Sequence, residues 1–187
     1  MSLLPITLYG DKILRKKTEQ VSDVDMETVK LITNMFDTMR NASGIGLAAN
    51  QVGADKQIFI VDISNIEGYE DQKPIVFINP RFEKFSDEKV VIEEGCLSIP
   101  DIRADVERPA KVTIVFQDTD MKEQKLEADE LLARVIQHEY DHLQGVLFTD
   151  KISDEMKKKF KRDLLKIKNR KIDFEYPVTD HVDYQLL

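Results

Sequence analysis

The chain has 187 residues, of which 42% are hydrophobic and 33% are charged, a length and composition that suit a single globular domain. Its net charge of −8 argues against a general nucleic-acid-binding protein, and no apolar run approaches the ~18 residues that a membrane span requires. The start of the chain lacks the basic region of a signal peptide, and its single cysteine, Cys96, excludes an intrachain disulfide, so we expect a cytoplasmic protein.

The first predicted element is a helix over residues 25–41, in which apolar residues recur at helical spacing. Ser22 or Asp23 can cap its start, and Gly44 follows its end. Short apolar or alternating runs bounded by turn residues predict the strands that come next. These strands lie at residues 57–63, 74–79, 89–94, 111–118 and 125–128.

Two further helices are predicted over residues 129–143, closed by Gly145, and over residues 153–171. Strands that cluster between helices, with short hairpin-like connections, indicate an α+β fold. We therefore expect antiparallel or mixed sheets packed around the central helix, with one helix towards each end of the chain. A single domain would span residues 1–171 and be followed by a tail, residues 172–187.

The last predicted helix is strongly basic. Residues 151–171 contain ten lysines and arginines against three acidic residues, a net charge of +7 in a chain whose total is −8. This asymmetry is typical of an interaction surface. The alternative is an ordinary amphipathic helix that packs through an apolar stripe and exposes its lysines. That stripe consists of Met156, Phe160, Leu164 and Ile167.

Residues 138–142 form an H-E-x-x-H motif inside the predicted central helix. Positions i and i+4 of a helix lie one turn apart on one face, so His138 and His142 can bind one metal ion. Glu139 lies beside the first histidine, where it can handle protons for a water molecule at the metal. The alternative is a pair of structural histidines, although the chain contains only three histidines.

A hydrolytic metal site needs one more protein ligand beside two histidines, and one position left open for water. Cys96 is the candidate, because it ends a predicted strand and Gly95 permits a tight turn just before it. Pro100 is expected to end the extended segment. The alternative, which is commoner for a lone cysteine, is a buried thiol that acts as a small hydrophobic residue.

Residues 44–53 are rich in glycine and alanine and follow the first predicted helix. A backbone with so little side-chain bulk can approach an extended ligand closely and offer its N–H and C=O groups, and Gln51 adds an amide donor. The alternative is a tight helix-to-strand turn with Gln51 in solvent.

Together, these three segments resemble the peptide deformylase family. The family is similar at G-Φ-G-Φ-A-A-x-Q, at E-G-C-Φ-S and at Q-H-E-x-x-H, in this order and at comparable spacing. This chain has the three motifs at residues 44–51, 94–98 and 137–142. The similarity extends from about residue 4 to residue 168 and leaves out the tail, which contains His181. Asn50 departs from the residue that family members often have.

The resemblance implies a hydrolase of bacterial protein biosynthesis that removes the formyl group from the N-terminal formyl-methionine of new proteins and releases formate. Glu139 would be the general acid–base, and the Gln51 side chain and the Leu97 backbone N–H would stabilise the developing oxyanion. Glu94 and Arg108 are expected to form an ion pair that braces the cysteine loop, and the alternative is that both are solvated surface charges. One divalent metal ion per chain is implied, natively Fe²⁺, with Zn²⁺, Ni²⁺ or Co²⁺ as substitutes. Its ligands would be Cys96, His138 and His142.

The resemblance also implies contacts with the substrate. Ile45 and Gly46 would pair by their backbone with the peptide, and Arg103 would meet the substrate backbone. We expect Arg134 at the rim of the pocket, where it contributes its alkyl stem. An apolar pocket for the methionine side chain is expected, although the same residues can equally belong to the core. Its members are Ile45, Ile92, Leu97, Leu131 and Val135.

The family precedent for the basic C-terminal helix is docking on the ribosome, and no DNA or membrane partner is expected. Two other functions stay open on the residues alone. An H-E-x-x-H endopeptidase would take its third ligand downstream, from Glu155, Glu175 or His181. A non-catalytic, metal-stabilised binding module is disfavoured, because a closed structural site needs four protein ligands and the chain has one cysteine.

Overall fold

The computed structural model describes residues 2–180 and 183–186, and this part of the chain forms three α-helices and seven strands. The helices are α1 (Met26–Asn41), α2 (Glu130–Leu143) and α3 (Asp154–Lys168). The strands are β1 (Gly46–Ala48), β2 (Ile58–Val61), β3 (Ile75–Phe85), β4 (Lys89–Cys96), β5 (Ile99–Pro109), β6 (Lys111–Gln117) and β7 (Glu123–Asp129). None of the described helices is long and apolar enough to cross a membrane.

The strands form two separate sheets, and the predicted α+β class is confirmed. The larger sheet has the order β1-β2-β3-β6-β7, and the smaller is the hairpin of β4 and β5. Neighbouring strands are antiparallel in both. The three-residue strand β1, which the sequence did not predict because glycine and alanine have low β-propensity, is a terminal strand of the larger sheet.

Helices α1 and α2 cover opposite faces of the larger sheet. Successive side chains of a strand point to opposite faces, and β2 follows this rule. Phe59 packs in a core cluster with Ile136 of α2, whereas Ile58 and Ile60 pack in a second cluster with Met35 of α1. Because β2 is buried on both faces, it is a continuous apolar run in the sequence. Helix α2, which carries the H-E-x-x-H motif, packs against the larger sheet and is also hydrogen-bonded to β4 and β5, so it is the central helix, as predicted.

The β4–β5 hairpin has a core of its own, shared with α3. Alternate residues of β5, among them Ile102 and Val106, pack in a third cluster with Leu164 and Ile167 of α3. These two α3 residues belong to the predicted apolar stripe, and the stripe is on the buried side of the helix. The hairpin thus forms a separate wall that stands next to α2.

Strand β5 has no counterpart in the sequence-based prediction. Pro100 was expected to end an extended segment but lies at the second position of β5. A proline is tolerated there because a two-stranded sheet leaves one edge of each strand without a partner strand, so its missing N–H costs no ladder bond. The strand then alternates buried and exposed residues along its length.

Two other boundaries differ from the prediction. Helix α1 is capped by Asp25, whose side chain accepts a hydrogen bond from the Thr28 N–H (2.8 Å), and not by Ser22 or Asp23. Strand β3 continues through Pro80 to Phe85. Its ladder with β6 is shifted between Ile78 and Arg81, which includes the proline, and again between Phe82 and Lys84. A bulge of this kind accommodates a residue that has no N–H to donate.

Gly145 ends the central helix, as predicted. Its φ of +72° is in the left-handed region. The Gly145 N–H donates to the His142 carbonyl (3.0 Å), and the Val146 N–H donates to the Asp141 carbonyl (2.9 Å). A Cβ atom at Gly145 would lie 2.6 Å from the backbone oxygen of Arg15. The helix end that follows the second histidine therefore requires glycine for both its conformation and its space.

We expect replacement of Gly145 by alanine to lower the free energy of unfolding by about 2–4 kcal/mol. The energetic cost of the left-handed conformation and that of the collision with the Arg15 carbonyl add together. Urea unfolding of the purified variant measures this loss.

Gly68 provides the matched control. Its φ is +88°, but nothing lies within 4 Å of the position that its Cβ would occupy. Gly68→Ala should therefore cost only the conformational part, about 1 kcal/mol. Equal losses in the two variants would contradict the role assigned to the Arg15 carbonyl.

Candidate active site

Cys96, His138 and His142 meet at one place in the structure. The Nε2 atoms of the two histidines lie 3.3 Å apart, and the Cys96 Sγ atom lies 3.2 Å from His142 Nε2. Their donor atoms all lie within 4.8 Å of one another, and among the described residues they form the one group of Cys, His, Asp or Glu side chains arranged to hold a metal ion. The three residues proposed as ligands are thus brought together from positions far apart in the sequence.

Two elements position these side chains. Helix α2 presents His138 and His142 one turn apart on a buried side. Cys96 is the last residue of β4 and pairs with Ile99 across the hairpin, after a shift of the ladder that begins at Glu94. The cysteine therefore sits at the tip of the hairpin, opposite the two imidazoles.

This donor set fits a divalent metal of borderline softness, since one thiol and two imidazoles suit Fe²⁺ or Zn²⁺. Burial lowers the pKa of His142 well below its ordinary value, so this ring is neutral and has a lone pair to donate. Beside the cluster, the buried Oε2 atom of Glu139 has no hydrogen-bond partner among the described residues. Such an atom is costly unless a ligand in the cleft supplies a partner.

Glu94 is the centre of the hydrogen-bond network around the site. Its carboxylate is buried (5% exposed) and accepts from Arg108 at 2.5 and 2.9 Å and from Arg134 at 2.7 Å. Its Oε2 atom lies 2.9 Å from His138 Nδ1. Burial alone would raise the pKa of Glu94, but hydrogen bonds from Arg108 and His138 hold it well below its ordinary value. The carboxylate thus fixes one ring nitrogen of His138 and leaves Nε2 facing the cluster.

The ion pair of Glu94 and Arg108 that the sequence predicted is present. Arg108 also donates to Asp141 Oδ2 at 2.6 Å. Because Arg108 lies on β5 and Asp141 on α2, the guanidinium joins the hairpin to the helix that carries both histidines.

Arg134 was predicted to lie at the rim of the pocket, and this prediction is wrong. The residue is buried (4% exposed), and its guanidinium donates to Glu94 and to the backbone oxygens of Val90 and Val106, each at 2.7 Å. Arg134 lies four residues before His138 and hence on the same buried face of α2, where a charged group needs partners. Arg134 also lines the cleft, but as a buried residue and not at its rim.

Glu139 is buried beside the metal cluster, with 4% of its surface exposed, and burial raises its pKa to about 7. A carboxyl group with a pKa near neutrality can both accept and return a proton. Gly46 of β1 makes room for it, because a Cβ there would lie 2.5 Å from Glu139 Oε1 and 2.8 Å from Val135 Cγ1. The glycine is required by the close approach of strand and helix.

Gln51 is buried and held in a fixed orientation. Its Oε1 atom accepts from the Ala48 N–H at 2.9 Å, which leaves the Nε2 atom pointing to the cluster. Nε2 lies 3.4 Å from Cys96 Sγ and 3.2 Å from Ser98 Oγ. The alternative of a solvated Gln51 is excluded, and an amide donor is aimed into the site.

Asn50, the position that departs from the family pattern, joins this segment to the central helix. It is fully buried, and its Nδ2 atom donates to the His142 carbonyl at 2.6 Å. Thr7 Oγ1 in turn donates to the Asn50 carbonyl at 3.0 Å. Asn50 therefore ties the turn that carries Gln51 to the end of α2, a role that no sequence pattern indicated.

A cleft of about 550 Å³ opens over the cluster. The terminal strand β1 and the β4–β5 hairpin form its sides, and α2 forms its floor. All of the residues proposed to contact substrate line this cleft: Ile45, Gly46, Ile92, Leu97, Arg103, Leu131, Arg134 and Val135. Arg103 is exposed, with a guanidinium nitrogen 3.8 Å from the Glu93 carboxylate.

Two further cleft residues, Glu175 and Tyr176, come from the predicted tail. The Tyr176 hydroxyl donates to the Leu97 carbonyl at 2.6 Å. Burial raises the pKa of Tyr176, so the phenol keeps its proton at neutral pH. Sequence analysis named Glu175 only as a candidate metal ligand of an endopeptidase and did not consider Tyr176. The alternation of apolar and polar residues over 172–178 is nevertheless typical of an extended segment that covers a core.

Comparisons with known proteins agree on one family. A family model described as polypeptide deformylase matches residues 3–158. The peptide deformylase of Prosthecochloris aestuarii is 44% identical over 178 residues, which cover 95% of this chain and 95% of that protein. A plant peptide deformylase structure is similar with a TM-score of 0.84 and 37% identity, covering 96% of this chain and 98% of that one. The peptide deformylase structure from Ehrlichia chaffeensis, solved in complex with actinonin, is similar with a TM-score of 0.82 and 40% identity. The match covers 91% of this chain and 99% of that one.

We expect Glu94→Gln to lower the free energy of unfolding of the metal-free protein by about 3 kcal/mol near pH 5.5, because two arginines lose a buried counter-charge. Hydrogen bonds lower the folded-state pKa of Glu94, so its contribution is present above about pH 4.5 and is lost as the pH falls. Burial would lower the pKa of His138, but hydrogen bonds with Cys96 and Glu94 raise it. The contribution of protonated His138 to stability is therefore present below about pH 6.5 and is lost as the pH rises. Urea unfolding from pH 3.5 to 8 should show the largest gap from the wild type between these limits.

The neighbouring Glu93 is the matched control, since it is exposed and its ion pair with Arg103 is long and solvated. Glu93→Gln should change stability by less than about 0.5 kcal/mol at any of these pH values. A Glu94→Gln variant that behaves like Glu93→Gln would show that the buried network contributes little.

Proposed function

The chain belongs to the peptide deformylase family and removes the N-formyl group from new peptides, and we propose that it does so with Glu139 as general acid–base beside a metal held by Cys96, His138 and His142. The observation that carries this proposal is the meeting of the three donor atoms at the base of a cleft, with the unpartnered Oε2 atom of Glu139 next to them.

The cleft suits an extended peptide that starts with a formylated methionine. β1 is a terminal strand, so the backbone of Ile45 and Gly46 can pair with the substrate as an added strand. The methionine side chain would enter between α2 and the hairpin, against the apolar cleft residues. These are Ile45, Ile92, Leu97, Leu131 and Val135. Arg103, which is exposed at the mouth, would meet the peptide backbone.

A divalent metal bound by the cluster would supply a Lewis acid that polarises the formyl carbonyl and lowers the pKa of water from ~16 towards ~7. The donor set accommodates Fe²⁺, Zn²⁺, Ni²⁺ or Co²⁺, and we propose Fe²⁺ as the native ion on the basis of the family.

The chain's own groups would manage the proton and the developing charge. Glu139 would accept a proton from the attacking water and return it to the departing amine nitrogen, which its pKa of about 7 permits at neutral pH. The Nε2–H of Gln51 and the N–H of Leu97 would donate to the formyl oxygen as negative charge develops, each worth about 2.7–4 kcal/mol in the transition state. The products are formate and a free amino terminus.

The endopeptidase alternative lacks support in the structure. It required a third ligand from Glu155, Glu175 or His181. Neither glutamate belongs to the metal-binding group of the described residues, and Cys96 takes that place. His181 lies outside the described residues.

We also propose that residues 1–171 form the catalytic domain, to whose cleft the following tail contributes Glu175 and Tyr176. We further propose that the protein acts in the bacterial cytoplasm and that α3 docks it on the ribosome. The apolar stripe of α3 faces the third core cluster, which leaves Lys157, Lys158 and Lys159 exposed. Beside them lies a groove of about 590 Å³ whose lining includes four cations. Those cations are Arg15, Lys157, Lys161 and Lys168. Such a surface suits the phosphates of ribosomal RNA.

The central test is Glu139→Gln, purified and assayed without oxygen. We expect the variant to keep the wild-type metal content and fold, while kcat for formate release from a formyl-Met peptide falls by about 10²–10⁴-fold, because the proton carrier is lost and the shape is kept. Metal analysis of the same samples identifies the native ion.

Cys96→Ala is the companion variant and should lose most of its bound metal along with its activity. Wild-type turnover in Glu139→Gln would refute the assigned role of Glu139. Full metal content in Cys96→Ala would refute the ligand set.

Ribosome docking predicts that replacing Lys157, Lys158 and Lys159 by glutamine weakens co-sedimentation with ribosomes. The slope of log affinity against log salt should also fall, by about one for each lysine that contacts phosphate. Activity on a free formyl-Met peptide should not change.

Replacement of three exposed lysines outside α3 by glutamine is the control for the change in net charge. Lys111, Lys122 and Lys125 are exposed on β6, β7 and the turn between them. Equal loss of ribosome binding in both triple variants would argue against a specific surface on α3.

A further inference from the structure

Residues 172–179, which we call the C-terminal strap, are clamped to the start of the chain. The Ile6 N–H donates to the Pro177 carbonyl and the Thr179 N–H donates to the Ile6 carbonyl, both at 2.9 Å. Thr179 is buried, and its hydroxyl donates to Asp11 Oδ2 at 2.7 Å. Arg170 binds both Asp11 and the Thr179 carbonyl. The end of the strap is thus held by a buried polar clamp.

The strap packs along the β4–β5 hairpin between this clamp and α3. Its alternate residues Ile172, Phe174 and Val178 lie against the third core cluster, which contains Ile99 and Ile102 of β5. Tyr176 falls on the same alternation and is half-buried. The strap is therefore a fixed part of the cleft wall, with Tyr176 directed at the tip of the hairpin.

At that tip, the Tyr176 hydroxyl donates to the Leu97 carbonyl at 2.6 Å. The next residue is held separately, since the Tyr9 N–H donates to the Ser98 carbonyl at 2.8 Å and Gln51 Nε2 donates to Ser98 Oγ at 3.2 Å. The hairpin turn that follows Cys96 is hence fixed from two sides, and the strap provides the side at Leu97.

We propose that Tyr176 is a positioning residue for the deformylation reaction. By holding the Leu97 carbonyl, it restrains the peptide unit that follows Leu97 and hence the turn between Cys96 and Ser98. The Leu97 N–H belongs to the preceding peptide unit of this same turn, so the restraint keeps it directed at the formyl oxygen, an inference that rests on the proposed role of this N–H. A preorganised donor contributes in the transition state, where the oxyanion forms, more than in substrate binding. The C-terminal strap is then part of the catalytic apparatus, although it lies beyond the residues matched by the family model.

The test uses Tyr176→Phe in the metal-loaded enzyme, which removes the hydroxyl and keeps the ring. We expect kcat for a formyl-Met peptide to fall about tenfold, with KM within about twofold of the wild type and metal content unchanged. Hydrogen exchange of the Leu97 amide, followed by NMR, should be about tenfold faster, because the turn becomes mobile. Tyr176→Leu should lose at least as much in kcat.

Tyr184→Phe is the control, because Tyr184 also lies in the tail but packs against Gly53 and does not line the cleft. It should match the wild type in kcat, KM and Leu97 exchange. A purely structural Tyr176 would instead give a Tyr176→Phe variant with wild-type kcat and unchanged exchange, with losses only in Tyr176→Leu. That outcome would overturn the proposal.

Failure of the proposed function would look different. If the wild-type protein released no formate, the assigned reaction would be refuted, while the exchange of the Leu97 amide would still test the positioning by Tyr176. If the wild type were active and Tyr176→Phe matched it in both measurements, only the role of Tyr176 would be refuted.

Discussion

The carboxylate of Glu94 is the point at which the two halves of the active site meet. It comes from β4, binds Arg108 of β5 and Arg134 of α2, and contacts the first histidine of the H-E-x-x-H motif. The hairpin and the larger sheet have separate hydrophobic cores, so apolar packing alone does not fix their relative position at the cleft. A buried ionic network with directed hydrogen bonds fixes the position of the hairpin relative to the sheet. Such a network requires a hydrogen-bond partner for each of its charged groups. The position of the sulfur relative to the two imidazoles follows from it.

The opposite side of the site depends on close approach instead of charge. Gly46 lets β1 come so near to α2 that a methyl group would collide with Glu139 and Val135. The turn that follows β1 then presents Gln51, and Asn50 ties this turn to the end of the helix through the His142 carbonyl. The Glu139 carboxyl is consequently enclosed between the backbone of β1 and helix α2, and this burial raises its pKa to about 7.

The sequence predicted the parts that depend on local spacing. Two histidines four residues apart and a cysteine after a glycine made these residues candidate ligands. The resemblance of the three motifs to the peptide deformylase family then indicated which side chains would meet, and the apolar patterns located all three helices. The rest depends on contacts between distant segments. Pro100 is harmless only because β5 belongs to a two-stranded sheet, and Tyr176 matters only because the strap reaches the hairpin. Arg134 was within reach of prediction, since its spacing from His138 places it on the buried face, where a charge must be neutralised.

The bridge between Ile6 and Val178 joins two segments that are far apart in the sequence. A chain made from its amino terminus contains Ile6 early, whereas Val178 is added only after all three helices and both sheets have been synthesised. The part of the cleft wall that contains Tyr176 therefore forms after the segments that carry Cys96, His138 and His142. A chain interrupted at Ile172 would contain these three side chains but would lack this part of the wall.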